Sequence, residues 1–273
     1  MDMKILFGSV VYQAAEKYLD DFFSSIDKQI MKDFSVLLLD DDMDLRMLRK
    51  RLLQYSFHVD VIHVQGKTPV QLRIELIRKA KQEGADLLVL GDCDDFFSNS
   101  RVVDITNTYV NYPEYTFFYN ELKNEDGMKV MPELPKYVNN FKEIGEYNFL
   151  GLSNTALNIN NISFEFIDSL EEYYFNIFDW YLFSRLLLDG KCGKKVERCS
   201  TIYRLHENNI AGIQGLNNKN IKREIEIKKK HYESLRKNNI YYEEKYEQYQ
   251  KENYSVLKRK SKYYWWNLLK SMN

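Results

Sequence analysis

The chain has 273 residues, 44% of them hydrophobic and 15% aromatic, with 29% charged and a formal net charge of −1. That length holds one large domain or a domain with an appendage; the composition excludes a disordered chain, and the charged fraction excludes an integral membrane protein. No apolar run approaches the roughly 18 residues of a spanning helix, and the start MDMKILFGSVVYQ lacks a basic region followed by an apolar signal core, so a cytoplasmic protein is expected. Cys93, Cys192 and Cys199 form neither a disulfide framework nor a zinc-site spacing, and all three read as reduced thiols. The near-balanced charge conceals an asymmetry. From Lys219 onward there are 15 Lys and Arg against 7 Glu, which makes the tail about +8 and the remainder about −9.

Taken in chain order, KILFGSVVY predicts a first strand. The stretch AAEKYLDDFFSSIDKQI, with Tyr18, Phe22, Ile26 and Ile30 at helical spacing, predicts a helix. FSVLLLD is a second strand ending in Asp40, Asp41 and Asp42, followed by a helix over LRMLRKRLL for which one of these acids or Asp44 supplies the cap. HVDVIHV is a third strand. PVQLRIELIRKAKQEG has Pro69 near a helix start and Gly84 just past its end, and ADLLVLGD is a fourth strand. Next come a helix at VVDITNTYVNY, a strand at YTFFYNEL and a loop at MPELPKYVNNF. A long helical stretch is expected from Ile167 to Asp189, interrupted near Phe178, and then a strand, KVERCSTIYRLH. ENNIAGIQGLNNKN reads as a mobile loop, and residues 220–273 have helical spacing. Alternating strands and helices predict an α/β fold with a mostly parallel, Rossmann-like sheet, in which two acidic clusters fall at the carboxyl ends of strands, the edge where ligands bind.

The second cluster, in LLVLGDCDDFFS, raises a physical question. Asp92, Asp94 and Asp95 follow directly on a buried strand, and clustered carboxylates repel one another unless a cation or hydrogen-bond donors compensate. A solvated acidic turn is the plain alternative.

The motifs VVYQAAEKYL, LLLDDDMD, the Arg in VQLRIELIRKA, LGDCDD, IFDWYLFSRLLLDG and YRLHENNIAG occur in the order found in family 2 glycosyltransferases of the GT-A fold. The chain resembles that family over residues 4–215. The resemblance implies a GT-A domain at 1–218, with a nucleotide-binding half at 1–100 and an acceptor-binding half at 101–218, and a basic, aromatic helical extension at 219–273. It further implies an inverting transfer of sugar from a nucleoside diphosphate sugar, most commonly a UDP-sugar, to a saccharide or lipid-linked saccharide, as in surface polysaccharide synthesis.

Carried over residue by residue, the resemblance assigns Asp94 and His206 to a Mn²⁺ or Mg²⁺ ion. It assigns Val10, Tyr12, Asp40, Arg73, Asp92, Cys93 and Arg204 to the sugar donor. Within that set Asp40 accepts from the nucleobase imide, Tyr12 stacks near the base, Asp92 lies by the ribose and Arg204 by the diphosphate, while Asp95 supports the turn. Val10, Ile74 and Leu76 depart from the family pattern, and Arg73 reads equally as an exposed helix cation. Asp179, in FDW, matches the acid that serves as general base; its plain alternative is a cap for WYLFSRLLL. Glu171 and Glu172 read as solvated mid-helix acids, and His58, His63 and His231 as structural. GLSNTALN, from Gly151, resembles the acceptor-side segment, and the loop from Glu207 to Leu216 is expected to close over bound donor.

The tail SVLKRKSKYYWWNLLKSM suits either an anionic membrane surface, which places the protein on the inner face of the cell membrane, or packing on the core or on a second subunit. No nucleic-acid module surrounds its basic residues. Two rival readings are a sugar nucleotidyltransferase, which needs a glycine-rich loop where FGSVVYQAAEK has one glycine, and a catalytically silent nucleotide-sugar-binding scaffold.

Overall fold

The computed structural model describes residues 3–131, 133–175, 177–204 and 218–251. Strands β1 (Ile5–Tyr12), β2 (Ser35–Asp41), β3 (His58–Val64) and β4 (Leu87–Leu90) pair in parallel in the order β3-β2-β1-β4. The apolar runs of β1, β2 and β4 are nearly continuous because both faces of the sheet are covered. On one face α1 (Leu19–Asp27) and α2 (Leu45–Leu52) bring Phe22, Phe23, Ile26 and Leu48 into a cluster with Phe7, Val11, Val36 and Leu38. On the other, α3 (Pro69–Gln82) brings Val70, Ile74 and Ile77 to Leu6, Leu37, Leu39 and Leu88. The strand order reverses between β1 and β4. In doubly wound sheets that boundary opens a crevice at the carboxyl ends of the strands.

Local signals account for the helix ends. Thr68 caps α3 in a reciprocal capping box with Gln71, Pro69 occupies its first turn, and Gly84 follows its end at φ 68°, a left-handed conformation that glycine adopts without steric cost. Asp44 caps α2, accepting from the N–H groups of Arg46 and Met47. The helix expected over residues 14–30 is divided: Gln13–Tyr18 form a 3-10 turn, α1 covers only the middle, and Ile30 is 69% exposed, its N–H bonded to the Asn99 carbonyl.

The second half is less regular than its sequence suggested. It contains β5 (Phe96–Phe97), α4 (Arg101–Asn111), β6 (Phe117–Lys123), β7 (Tyr137–Val138), β8 (Thr155–Asn158), α5 (Phe164–Ser169), α6 (Phe178–Leu188) and β9 (Gly193–Ile202). The sheet continues β4-β8-β6-β9-β5, and β7 pairs with β9. Buried β8 runs antiparallel to both β4 and β6, a central strand that the sequence reading had not separated from the segment around Gly151. β7 lies within the expected loop at MPELPKYVNNF. The interruption expected near Phe178 is present: α5 ends at Ser169, a 3-10 turn follows at Leu170–Glu172 and α6 starts at Phe178, while Tyr173 stacks on Tyr181 at 4.1 Å and donates its hydroxyl to the Ile177 carbonyl. Glu171 lies in that turn and pairs with Arg78 at 2.7 Å, so it is not a mid-helix acid.

Helices α7 (Asn218–Leu235) and α8 (Ile240–Lys251) bury Ile225, Tyr232, Leu235, Tyr242 and Tyr249 in the same apolar cluster as α3 and α6. The boundary expected near residue 218 thus separates elements that share one core. The His231 ring stacks on Trp180 of α6, with centroids 3.8 Å apart and planes 12° apart, while the Trp180 indole N–H donates to the Ile144 carbonyl. Residues 252–273, including the aromatic part of the tail, lie outside the described residues. Among the described residues no helix is long and apolar enough to cross a membrane.

Register decides which acid at the end of β2 is buried. Val11, Asp40 and His63 lie side by side on β1, β2 and β3, and alternation places them on the α1–α2 face; Val10, Leu39 and Asp41 take the opposite face. Asp40 has no exposed surface. One of its oxygens lies 2.5 Å from His63 Nδ1, and the other accepts from the Met43 N–H. This interior clamp holds the turn in which Asp42 takes φ 58°.

Two stability experiments follow. Asp40→Asn removes the charged partner of a buried hydrogen-bonded pair and is expected to cost about 2 kcal/mol, whereas Asp41→Asn stays within about 0.5 kcal/mol; equal denaturation midpoints for the two variants would contradict this placement. His231 is buried and its pKa is driven well below 6.5 by desolvation, so the unfolded chain binds a proton that the folded chain refuses. Stability is therefore lost as pH falls below about 6.5. His231→Phe is expected to show a smaller drop in melting temperature than wild type between pH 7.5 and 5, and an unchanged drop would remove His231 as the source.

Candidate active site

Five elements meet at the crevice of the β1–β4 boundary: the ends of β1 and β4, the start of α3, the turn that begins at Gly151, and the start of α6. Past β4 the side chains alternate. Cys93 and Asp95 turn into the protein at 0% and 2% exposure, while Asp92 and Asp94 stay partly open. Gly91, just before them, admits the rings of Phe7 and Phe97 beneath the turn; a Cβ there would meet Phe97 at 2.6 Å. Apolar packing thus carries the acids to the edge of the sheet.

Arg73 comes from α3, one turn past its cap, and its Nη2 lies 3.7 Å from Asp92 Oδ1. It acts electrostatically on Asp92, Asp179 and Tyr12 at once, and its side chain is only partly exposed. The departures at Ile74 and Leu76 have a packing cause. Both are buried, and Leu76 fills the space over Gly8 of β1, where a Cβ would lie 3.3 Å from its methyls. Val10 is half-buried against the same cluster. The Tyr12 hydroxyl is held strongly in its neutral form, first by burial and then by Asp94, Cys93 and Asp92, so this phenol faces the acids themselves.

Asp179 lies in the first turn of α6, where its Oδ1 accepts from the Trp180 N–H at 2.8 Å; the cap position is Ile177. Its Oδ2 looks toward Gly151, where a Cβ would stand 4.0 Å away, and the bare glycine leaves that side of the carboxylate open. Burial raises the Asp179 pKa, with the Trp180 N–H and Arg73 opposing the rise. Asp92 is pushed up to about 6, chiefly by burial against the partial relief of Arg73, with Asp94 and Asp179 adding to the rise. Like-charged groups on both walls of the crevice therefore feel one another across it.

Three residues expected at the sugar donor are placed elsewhere. Asp40 is enclosed on the opposite face of β2, and Asp41, half-buried beside it, is the acid on the α3 face; strand alternation, invisible in a run of three aspartates, makes the difference. The Cys93 side chain points into the core, so only its backbone lies at the turn. Arg204 reaches the turn through its N–H, which donates to Asp95 Oδ1 at 2.9 Å. Its guanidinium is turned to Asp21 at 2.8 Å and Glu125 at 3.3 Å, between the rings of Tyr18 and Phe96. His206 and the loop at 207–216 lie outside the described residues.

Sequence reasoning also missed a buried polar network under the turn. Ser153 places its hydroxyl 3.3 Å from the Asp92 N–H, and Asn154 joins the Gly151 N–H to the Asn120 carbonyl. Arg101, fully buried, donates to the carbonyls of Leu90, Ser153 and Thr155 and to the Asn120 side chain. An Arg at the start of an apolar helix was the available signal.

Among the described residues no three His, Cys, Asp or Glu side chains converge tightly enough to hold a metal ion by themselves. The carboxylates present suit a hard cation that takes its remaining ligands from phosphate oxygens and water. No known family model and no curated protein matches this sequence. Solved structures do match in fold. TarS of S. aureus (residues 1–349) with UDP-GlcNAc superposes at a TM-score of 0.58 with 13% identity, over 84% of this chain and 66% of that one. The mannosyltransferase PcManGT from Pyrobaculum calidifontis, in complex with GDP-Man and Mn²⁺, gives 0.58 with 9% identity, over 86% and 64%. This chain thus spans just under two thirds of the length of those proteins. With its reversed strand order, acid-lined crevice and these fold relatives, the chain carries the GT-A glycosyltransferase fold.

Proposed function

We propose that the protein is an inverting, family 2-like glycosyltransferase that moves a sugar from a nucleoside diphosphate sugar to a saccharide or lipid-linked saccharide hydroxyl. The observation that carries this reading is the opposition of Asp92 and Asp94 on one wall to Asp179 on the other, with Arg73 acting on both walls. Its fold relatives were solved with UDP-GlcNAc and with GDP-Man, which supports an activated sugar as the ligand. A UDP-sugar, surface polysaccharide as the product and attachment to the inner membrane face through the tail are further parts of the proposal.

In this mechanism the acceptor hydroxyl enters over Gly151 and gives its proton to Asp179 Oδ2, the oxygen not bonded to the Trp180 N–H. The freed oxygen attacks C1 as the C1–O bond to the diphosphate breaks, and one displacement inverts the centre. The raised pKa of Asp179 makes it a stronger base than an exposed aspartate, and it predicts that the rate falls on the acid side at a pH above the usual carboxylate range. Asp41 takes over the nucleobase contact first assigned to Asp40. Asp94, joined by His206, would hold Mn²⁺ or Mg²⁺, which when bound offsets charge on the departing diphosphate. Arg73 orients Asp92 and offsets its charge.

A thermal-shift panel of UDP, GDP and dTDP with and without Mn²⁺ tests the sugar-donor site, because a ligand of the native state raises the melting temperature. Asp179→Asn is expected to keep the full nucleotide shift while donor turnover drops at least about 100-fold; undiminished turnover removes Asp179 as base. Asp41→Asn is expected to weaken the preferred nucleoside diphosphate about tenfold, and unchanged affinity returns the base contact to another residue.

A further inference from the structure

Arg101 opens α4 directly beneath the acidic turn and has no exposed surface. Its Nε donates to Asn120 Oδ1 at 3.0 Å, and its Nη2 to the carbonyls of Leu90 at 2.7 Å, Ser153 at 2.9 Å and Thr155 at 3.3 Å. Those four partners are neutral. The guanidinium also lies 4.6 Å from the centroid of Phe97 and 5.7 Å from that of Phe7, and its Nη1 is buried with no partner. A cation this desolvated and bonded only to neutral groups is expensive, and in most cores an apolar side chain of similar volume serves stability as well or better. Burial pushes its pKa down to about 10, and the nearby Cys199, Asp95 and Asp92 oppose that fall only in part.

The same side chain joins the two walls of the crevice. Leu90 is the last residue of β4, two before Asp92. Ser153 belongs to the turn that meets the Asp92 N–H with its hydroxyl, receives the Thr201 hydroxyl at 2.9 Å on its carbonyl, and presents Gly151 to Asp179. We infer that Arg101 is a positioning residue for the transfer: its Nη2 joins the Leu90 and Ser153 carbonyls while its Nε holds Asn120 Oδ1, setting the spacing between the sugar-donor acids and the Asp179 wall. Its fixed positive charge also holds the acidic turn in place before any ligand arrives. A lysine in its place would supply the charge and one nitrogen for the carbonyls but would leave Asn120 Oδ1 without the donor that fixes the guanidinium plane. This role rests on the reading of the acidic turn as a sugar-donor site.

The test compares wild type, Arg101→Met, Arg101→Lys and Leu48→Ala, a buried change in α2 away from the crevice that lowers stability without touching the network. Binding of the preferred nucleoside diphosphate with Mn²⁺ is measured by calorimetry, beside each protein's own ligand-induced melting shift. Expected are a dissociation constant about tenfold higher for Arg101→Met, about threefold higher for Arg101→Lys, and unchanged for Leu48→Ala. Wild-type affinity in both Arg101 variants overturns the inference, as does an equal loss in Leu48→Ala, which would mark a general effect of destabilisation. Should Arg101→Met fail to fold, Arg101→Lys decides: affinity at the wild-type level overturns the role and threefold weakening supports it. Wild-type protein that binds none of UDP, GDP or dTDP sinks the sugar-donor reading first and this inference with it.

Discussion

Charge compensation at the carboxyl edge of the sheet is the constraint around which the rest is arranged. Asp92, Asp94 and Asp95 follow a buried strand, and two arginines attend them from opposite sides: Arg73 from α3, at the mouth, and Arg101 from α4, inside the protein. Neither makes a tight ion pair with Asp92. Arg73 stands at 3.7 Å, and Arg101 acts through space while its hydrogen bonds go to backbone carbonyls. Compensation of this kind leaves Asp92 partly open at the edge, whereas close bidentate pairing would consume its carboxylate. The answer to the charge problem is therefore built partly into the protein, and a cation arriving with a diphosphate would complete it.

Packing around the crevice explains why its residues stand where they do. Gly8 admits Leu88 and Gly91 admits Phe7 and Phe97 at separations that a side chain would forbid, and Leu76 of α3 packs tightly over Gly8, so the sheet, α3 and the acidic turn lie close together. On the far wall, α6 starts with Asp179 in its first turn, and the next residue, Trp180, is held from two directions by the Ile144 carbonyl and the His231 ring. The proposed role of Asp179 as general base needs that helix fixed to within a fraction of an ångström. The α7–α8 hairpin supplies part of that rigidity by burying tyrosines and His231 against α6. A buried neutral histidine makes this contact sensitive to acid.

Much of the architecture was legible along the chain. The four parallel strands, α3 with its proline start and glycine stop, and the acidic ends of β2 and β4 all come from local signals: apolar runs, caps and turn residues. Asp92, Asp94, Arg73 and Asp179 were named from short motifs, and the structure brings them to one crevice. What stayed hidden depends on partners distant in sequence. β8 is four residues long and takes its strand character from β4 and β6 on either side. Tyr173 reaches across the helix break to stack on Tyr181, and Asp40 withdraws because β3 offers His63.

The sequence by itself determined the fold class and the chemical character of the edge, because hydrophobic period, capping and charge are properties of neighbouring residues. Tertiary structure alone decided which aspartate of each run faces the crevice, that Cys93 turns inward and that the guanidinium of Arg204 goes to Asp21 and Glu125. It also decided that a buried arginine ties the two walls together. Those outcomes rest on strand register and on contacts between residues tens of positions apart, where a shift of one residue exchanges buried for exposed.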